Sequence, residues 1–134
     1  MLSLTPEWLT NFDTAKETAA KEHKYILLNF SGSDWCGPCI KLKKEVFESD
    51  TFAAVVQGRL VLLHADFPRA KKNQLSNEQI KHNEMLADKY NPSGKFPLTL
   101  LLSADGKVLK EWEGYVFGSQ DKFTEELKQA IPSN

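Results

Sequence analysis

The sequence predicts an α/β fold: a mixed central sheet flanked by helices on both faces. Three observations carry that expectation. Near-continuous apolar runs, "YILLNF" at 25–30, "RLVLLHADF" at 59–67 and "FPLTLLLS" at 96–103, have the length of strands covered on both sides. Segments with helical spacing separate them, and strands that alternate with helices need crossovers, which tend to build a parallel sheet. A turn signal, "ADG" at 104–106, joins the third run to "KVLKEWEGY", which adds an antiparallel edge as a hairpin partner. The 134 residues are read as a single domain over 1–134.

Each element follows in order. Thr5-Pro6 reads either as a helix start or as a turn toward Trp8. In "TNFDTAKETAAKEHK", Phe12, Ala15 and Ala19 recur at helical spacing among alanines and charges, which predicts an N-terminal helix. After the first apolar strand and the cysteine segment, Ile40, Leu42, Val46 and Phe47 alternate with lysines and Glu45 as a second helix. "DTFAAVVQG" is a further short helix with Ser49 or Asp50 as N-cap and Gly58 at its end. Residues 67–76, polar and basic, read as a loop, and Ser76 with Gln79 has the spacing of a capping box. That helix is expected to reach about Tyr90, where Asn91-Pro92 and Gly94 stop it. A last helix begins at Gly118-Ser119, places Phe123, Leu127 and Ala130 on one face, and ends at Pro132.

Composition narrows the function. A formal net charge of −1, with 41% hydrophobic and 26% charged residues, gives no electrostatic case for nucleic acid or an anionic membrane surface as partner. The apolar runs are too short for membrane insertion. "MLSLTPEWLT" has no basic segment followed by an apolar core and is not read as an intact signal peptide; a chain whose signal had been removed would look the same. Two cysteines do not make a disulfide scaffold, so the fold must rest on its core.

Both cysteines sit in "SGSDWCGPC", residues 31–39, directly after a strand and opening a helix. So short a loop removes little chain entropy, which argues against a purely structural crosslink. Zinc usually takes four ligands, and His23, His64 and His82 are not spaced to complete a set with two thiols, so no metal site is expected. The arrangement suits redox chemistry. A free thiol has a pKa of about 8.5, and a helix N-terminus stabilises its thiolate. Cys39 lies one helical turn beyond Cys36, so the two sulfurs can bond or separate with little backbone movement. Pro38 falls in the first turn, where its missing N–H costs nothing.

The string "DWCGPC" between "YILLNF" and "IKLKKEVF" resembles the active site of the thioredoxin family, and the likeness covers nearly the whole chain. It implies a thioredoxin fold with an N-terminal helix and an enlarged loop before the third main helix. "FSGSDWCGPC", "ADFPR" and the long polar loop resemble in particular a bacterial thioredoxin-like branch, many of whose members are exported. The resemblance implies that Cys36 attacks a substrate disulfide and Cys39 resolves the mixed disulfide, with no organic cofactor or metal. It implies a substrate-binding set of Trp35, Gly37, Pro38, Phe96 and Pro97. Pro97 matches the family's cis-proline, which would turn the Phe96 backbone toward an extended substrate segment. Expected partners are disulfide-containing proteins and an electron donor, either a reductase enzyme or a membrane thiol relay. The molecule is expected to be a monomer, periplasmic or exported if it follows that branch, cytoplasmic otherwise.

Two departures stand out. Asn29 takes the place of the family's buried aspartate and cannot act as a general base, so the Cys39 proton must go to water, the partner, or a side chain such as Asp34 or Asp66. Leu98 follows Pro97 where threonine is common, which alters the docking groove. The histidines are read as surface or satisfied core residues, Trp8 and Trp112 as packing, and Lys41, Lys43 and Lys44 as a solvated helix face. Residues 67–84 are read as either a tolerated insertion or a partner-contact loop.

Overall fold

The computed structural model describes residues 5–133. Among them a five-stranded sheet has the order β1-β3-β2-β4-β5. The strands are β1 (Trp8–Leu9), β2 (Tyr25–Ser31), β3 (Leu60–Asp66), β4 (Leu98–Leu102) and β5 (Val108–Glu113). The helices are α1 (Phe12–Glu22), α2 (Gly37–Leu42), α3 (Asp50–Val56), α4 (Asn77–Tyr90) and α5 (Gln120–Ala130). α2 continues without a break into a π-helical turn, Lys43–Phe47.

β2 is the central strand, and all of its residues after Tyr25 are buried. It pairs with β3 in parallel and with β4 antiparallel. The sheet is therefore mixed, as the sequence predicts, but the change of direction comes one strand earlier than the hairpin. The chain after α4 enters the sheet from the opposite end, and the cis Phe96-Pro97 bond lies just before β4. The N-terminal ambiguity resolves to a two-residue strand: Trp8 and Leu9 pair with Leu62 and Leu63.

Alternation along the strands divides the interior into two cores. On one face Ile26, Leu28, Phe30, Leu63 and Leu100 pack under α1 and α4. On the other Leu27, Leu62 and Leu101 pack under α2, the π turn, α3 and α5, through Leu42, Phe47, Phe52 and Leu127. Trp8 and Trp112 serve this second core as packing residues, against Phe47 and Phe123 respectively.

The capping signals are realised in part. Ser49 Oγ accepts from the Phe52 N–H, and Ser76 Oγ from the Gln79 N–H, each at 3.1 Å. The Gln79 side chain does not return to Ser76; it donates to the Thr10 carbonyl and to Asn83 Oδ1, both at 2.9 Å. The loop before α4 closes at residue 76 and holds a short 3₁₀ turn, Lys71–Asn73. Residues 77–84 are the first half of α4, so the segment 67–84 is not one loop.

Candidate active site

The site is built at the C-terminal end of β2. After Ser31 the chain turns through Gly32, whose carbonyl accepts from the N–H groups of Trp35 (3.2 Å) and Cys36 (2.9 Å). Cys36 is the N-cap of α2, with φ −97° and ψ 105°, and Gly37-Pro38 form the first turn. Cys36 and Cys39 are joined by a disulfide, with Cα atoms 5.2 Å apart. The Cys39 N–H donates to Cys36 Sγ at 3.3 Å. Both cysteines are buried, at 5% and 4% exposure, whereas Gly37 and Pro38 are open to solvent. The Gly-Pro edge is thus a solvent-facing side of the pair.

Trp35 forms one wall. Its Nε1–H donates to the Phe67 carbonyl at 2.7 Å, and the Arg69 guanidinium lies 3.8 Å from its ring centre. Its ring meets Phe96 edge-on at 5.4 Å, and Phe96 meets Phe67 at 5.5 Å. The Phe96–Pro97 peptide bond is cis, as the resemblance implied. Pro97 is buried, and its carbonyl accepts from the Gly114 N–H at 2.8 Å.

That contact brings the β5–α5 turn beside the proline. Tyr115 Oη donates to Glu45 Oε1 at 2.5 Å, and the Gly118 N–H donates to the same oxygen at 2.9 Å. These bonds hold the Glu45 carboxyl below its ordinary pKa, while burial and the Glu45 carboxylate push Tyr115 up to about 12. Between these anchors Val116 and Phe117 are exposed, at 73% and 57%. The sequence reading passed over this pair; the available signal was two large apolar residues inside the turn "YVFGS", where polar ones are usual.

Asp34 and Asp66, considered above as proton acceptors for Cys39, are committed elsewhere. Asp66 accepts from Ser33 N–H (3.0 Å), Ser33 Oγ–H (2.5 Å) and Phe67 N–H (2.9 Å). Asp34 accepts from the N–H groups of Arg69 and Ala70 and from the Asn73 amide, each at 2.9 Å. The Arg69 N–H first, then Asn73 and Ala70, hold the Asp34 carboxyl below its usual value. A carboxylate so stabilised is a poor base. The two aspartates instead tie the motif loop to residues 67–73. Because the folded pKa of Asp34 lies below the unfolded value of about 3.9, this tether is complete above that value and is lost as pH falls through the lowered one. We expect the Arg69 and Ala70 amide NMR shifts to hold steady down to that acid range, and to be displaced at neutral pH in Asp34→Ala.

Asn29 is buried behind the motif, and its Nδ2–H donates to Thr99 Oγ1 at 3.1 Å. The lysines of α2 and the π turn, Lys41, Lys43 and Lys44, are exposed as expected. His23 is an exposed left-handed C-cap of α1. His82 is a satisfied structural residue: its Nε2 accepts from the Phe12 N–H at 2.9 Å. Among the described residues no group of three or more His, Cys, Asp or Glu side chains could hold a metal ion, and no helix is long and apolar enough to cross a membrane.

Comparison with known proteins agrees with this geometry. A family model described as a thioredoxin-like domain matches residues 12–131. The chain is 32% identical over 121 residues to the disulfide bond reductase DsbH of Chlamydia pneumoniae, covering 90% of this chain and 70% of that protein. It is 31% identical over 102 residues to the thioredoxin-related protein DsbJ of the same organism, of which it spans only 28%. A solved DsbH oxidoreductase superposes with a TM-score of 0.77 at 28% identity, over 98% of this chain and 90% of that one. A Neisseria meningitidis DsbD C-terminal domain, at 23% identity and a TM-score of 0.62 over 92% of this chain and 99% of that one, shares the fold. A family match across most of the sequence, joined to a relative matched over most of both lengths, makes the chain a member of the thioredoxin-like family of thiol-disulfide oxidoreductases.

Proposed function

We propose that the protein reduces disulfides in other proteins by dithiol–disulfide exchange through Cys36 and Cys39. The observation that carries this reading is the pair itself: two buried sulfurs within bonding reach at the start of a helix, with the Cys39 N–H on Cys36 Sγ. In the reduced protein that N–H stabilises a Cys36 thiolate, which attacks one sulfur of the substrate disulfide. A mixed disulfide forms and a substrate thiolate leaves. Cys39 then attacks Cys36 Sγ, closes the intramolecular disulfide and releases the second substrate thiol. Two electrons pass to the substrate, and neither metal nor organic cofactor takes part.

Trp35, Gly37, Pro38, Phe96 and Pro97 form the docking surface. An extended substrate segment lies along Phe96-Pro97 as an added strand. The exposed Val116 and Phe117 extend that surface with apolar area on the far side of Pro97. The Gly-Pro insert and the likeness to a protein named a disulfide bond reductase favour the reducing direction. The protein then needs recharging by an electron donor, a membrane thiol relay if it works outside the cytoplasm and a reductase enzyme if inside. Exported location follows the bacterial branch it resembles, and the whole chain acts as one domain and as a monomer.

The test is direct. We expect the reduced wild type to precipitate insulin chains in the presence of dithiothreitol and to equilibrate with glutathione at a potential near about −270 mV. A potential near about −180 mV would instead make it an oxidase or isomerase, and a protein without any exchange would be a binding module. Cys39→Ala, which cannot resolve, should accumulate mixed disulfides with its partners in cells.

A further inference from the structure

Asn29 stands behind the resolving thiol where the family has a buried aspartate, and the fold places a different titratable group nearby. His64 of β3 stands opposite Asn29 in the parallel β2–β3 ladder. Leu60 and Leu62 precede it on the face of β3 packed under α2 and α3, and alternation turns His64 to that same face. There His64, Asn29 and Cys39 line one open cleft of about 720 Å³, together with Trp8, Ser31 and Lys43. The His64 ring meets Trp8 edge-on, with centroids 5.9 Å apart.

The other titratable or charged groups facing this cleft are unsuited to accept a proton there. Lys43 and Lys44 are cations. Glu48 and Asp50 line the cleft from exposed positions, and Glu48 lies 4.0 Å from Lys43. Asp66, two residues along β3, has both oxygens occupied by Ser33 and Phe67 donors. Asn29 presents a donor to Thr99 and no base. His64 is partly buried. That burial first lowers its pKa below the usual 6.5; Asp66 opposes the shift and Lys43 adds to it. At neutral pH it is an uncharged imidazole with a lone pair.

We propose that His64 is the proton acceptor for Cys39, reached through water in this cleft. The assignment rests on the dithiol-exchange reading above, but not on its direction. In the resolving step the Cys39 thiol proton passes to the imidazole, the Cys39 thiolate forms a bond to Cys36 Sγ, and the bond from Cys36 Sγ to the partner sulfur breaks. The partner leaves as a thiolate and takes a proton from solvent, to which His64 returns its own. When a donor reduces the protein, Cys39 is the leaving thiolate and takes a proton from solvent water, relayed through the same imidazole.

A single turnover of the reduced protein with glutathione disulfide separates the two steps and does not depend on insulin as a substrate. In quenched-flow samples, formation of the Cys36–glutathione adduct reports the first attack and its disappearance reports Cys39. For His64→Gln we expect adduct formation at the wild-type rate and resolution slowed about 100-fold at neutral pH, the scale of a lost general base. We expect the wild-type resolution rate to carry a limb that falls as pH drops through the His64 pKa, and this limb to be missing in the variant. A purely structural role would leave the limb in place. Equal resolution rates and pH profiles in the two proteins would overturn the proposal. If His64→Gln does not fold, the wild-type ring signal decides: its NMR titration should show a second inflection with Cys39 ionisation that vanishes in Cys39→Ala, and one unchanged curve in both proteins would overturn it. Adduct formation with normal resolution but no insulin reduction would instead count against the reductase reading alone.

Discussion

Cys36→Ser is expected to bring insulin reduction down to the rate of dithiothreitol alone while leaving the fold intact. Serine is among the best N-caps, so its hydroxyl can accept from the Cys39 N–H where the sulfur does now. The start of α2 should therefore survive. What disappears is the thiolate, because a hydroxyl does not ionise in the accessible range and cannot exchange with a disulfide. The variant also loses the Cys36–Cys39 crosslink, but a loop with a sequence separation of 3 contributes only about 2 kcal/mol by the chain-entropy account. Urea unfolding of the variant against the oxidised wild type measures that loss, and the insulin assay measures the chemistry. Retained insulin reduction would show that Cys36 is not the attacking sulfur.

Gly32→Ala is expected to destabilise the protein by about 1–3 kcal/mol and to move Trp35 at the same time. A Cβ on Gly32 would lie 2.2 Å from Trp35 Cε2 and 2.4 Å from Cζ2, inside any tolerable contact. Gly32 is not among the glycines with positive φ, so the requirement is one of space and not of backbone conformation. The indole cannot yield freely, because Nε1 is bonded to the Phe67 carbonyl and the ring is packed on Arg69 and Phe96. Either the ring is expelled, breaking that bond, or the turn carrying Cys36 shifts. Unfolding in urea gives the stability change, and Trp35 fluorescence reports the displacement. An alanine variant with wild-type stability and unchanged emission would mean that the turn relaxes without cost.

Much of the fold could be read because it is encoded locally. Strands β2, β3 and β4 are long apolar runs, the ADG turn marks the hairpin, and Ser49 and Ser76 cap where their spacing places them. What escaped is non-local. β1 is two residues, too short for any period, and is a strand only because Leu62 and Leu63 pair with it. β4 is buried on both faces, so nothing in its residues encodes that it runs against β2. The redox pair was legible because its chemistry lies within four adjacent positions. His64 is distant in sequence from the motif; the parallel register sets it opposite Asn29, and so into the cleft that Cys39 also lines. Asp34 and Asp66 looked available because a sequence shows a carboxylate but not what already occupies its oxygens.

Those two carboxylates have a consequence for engineering. Residues 33–34 and 66–73 are stitched together by side chains that cross from each segment to the backbone of the other. The motif is therefore not a portable cassette. Grafting "SGSDWCGPC" onto a scaffold with a shorter connection after its third strand would leave Asp34 without its Arg69, Ala70 and Asn73 donors, and the indole of Trp35 without the Phe67 carbonyl and the Arg69 side chain that hold it. The transferable module is two discontinuous stretches that must be moved, shortened or lengthened together.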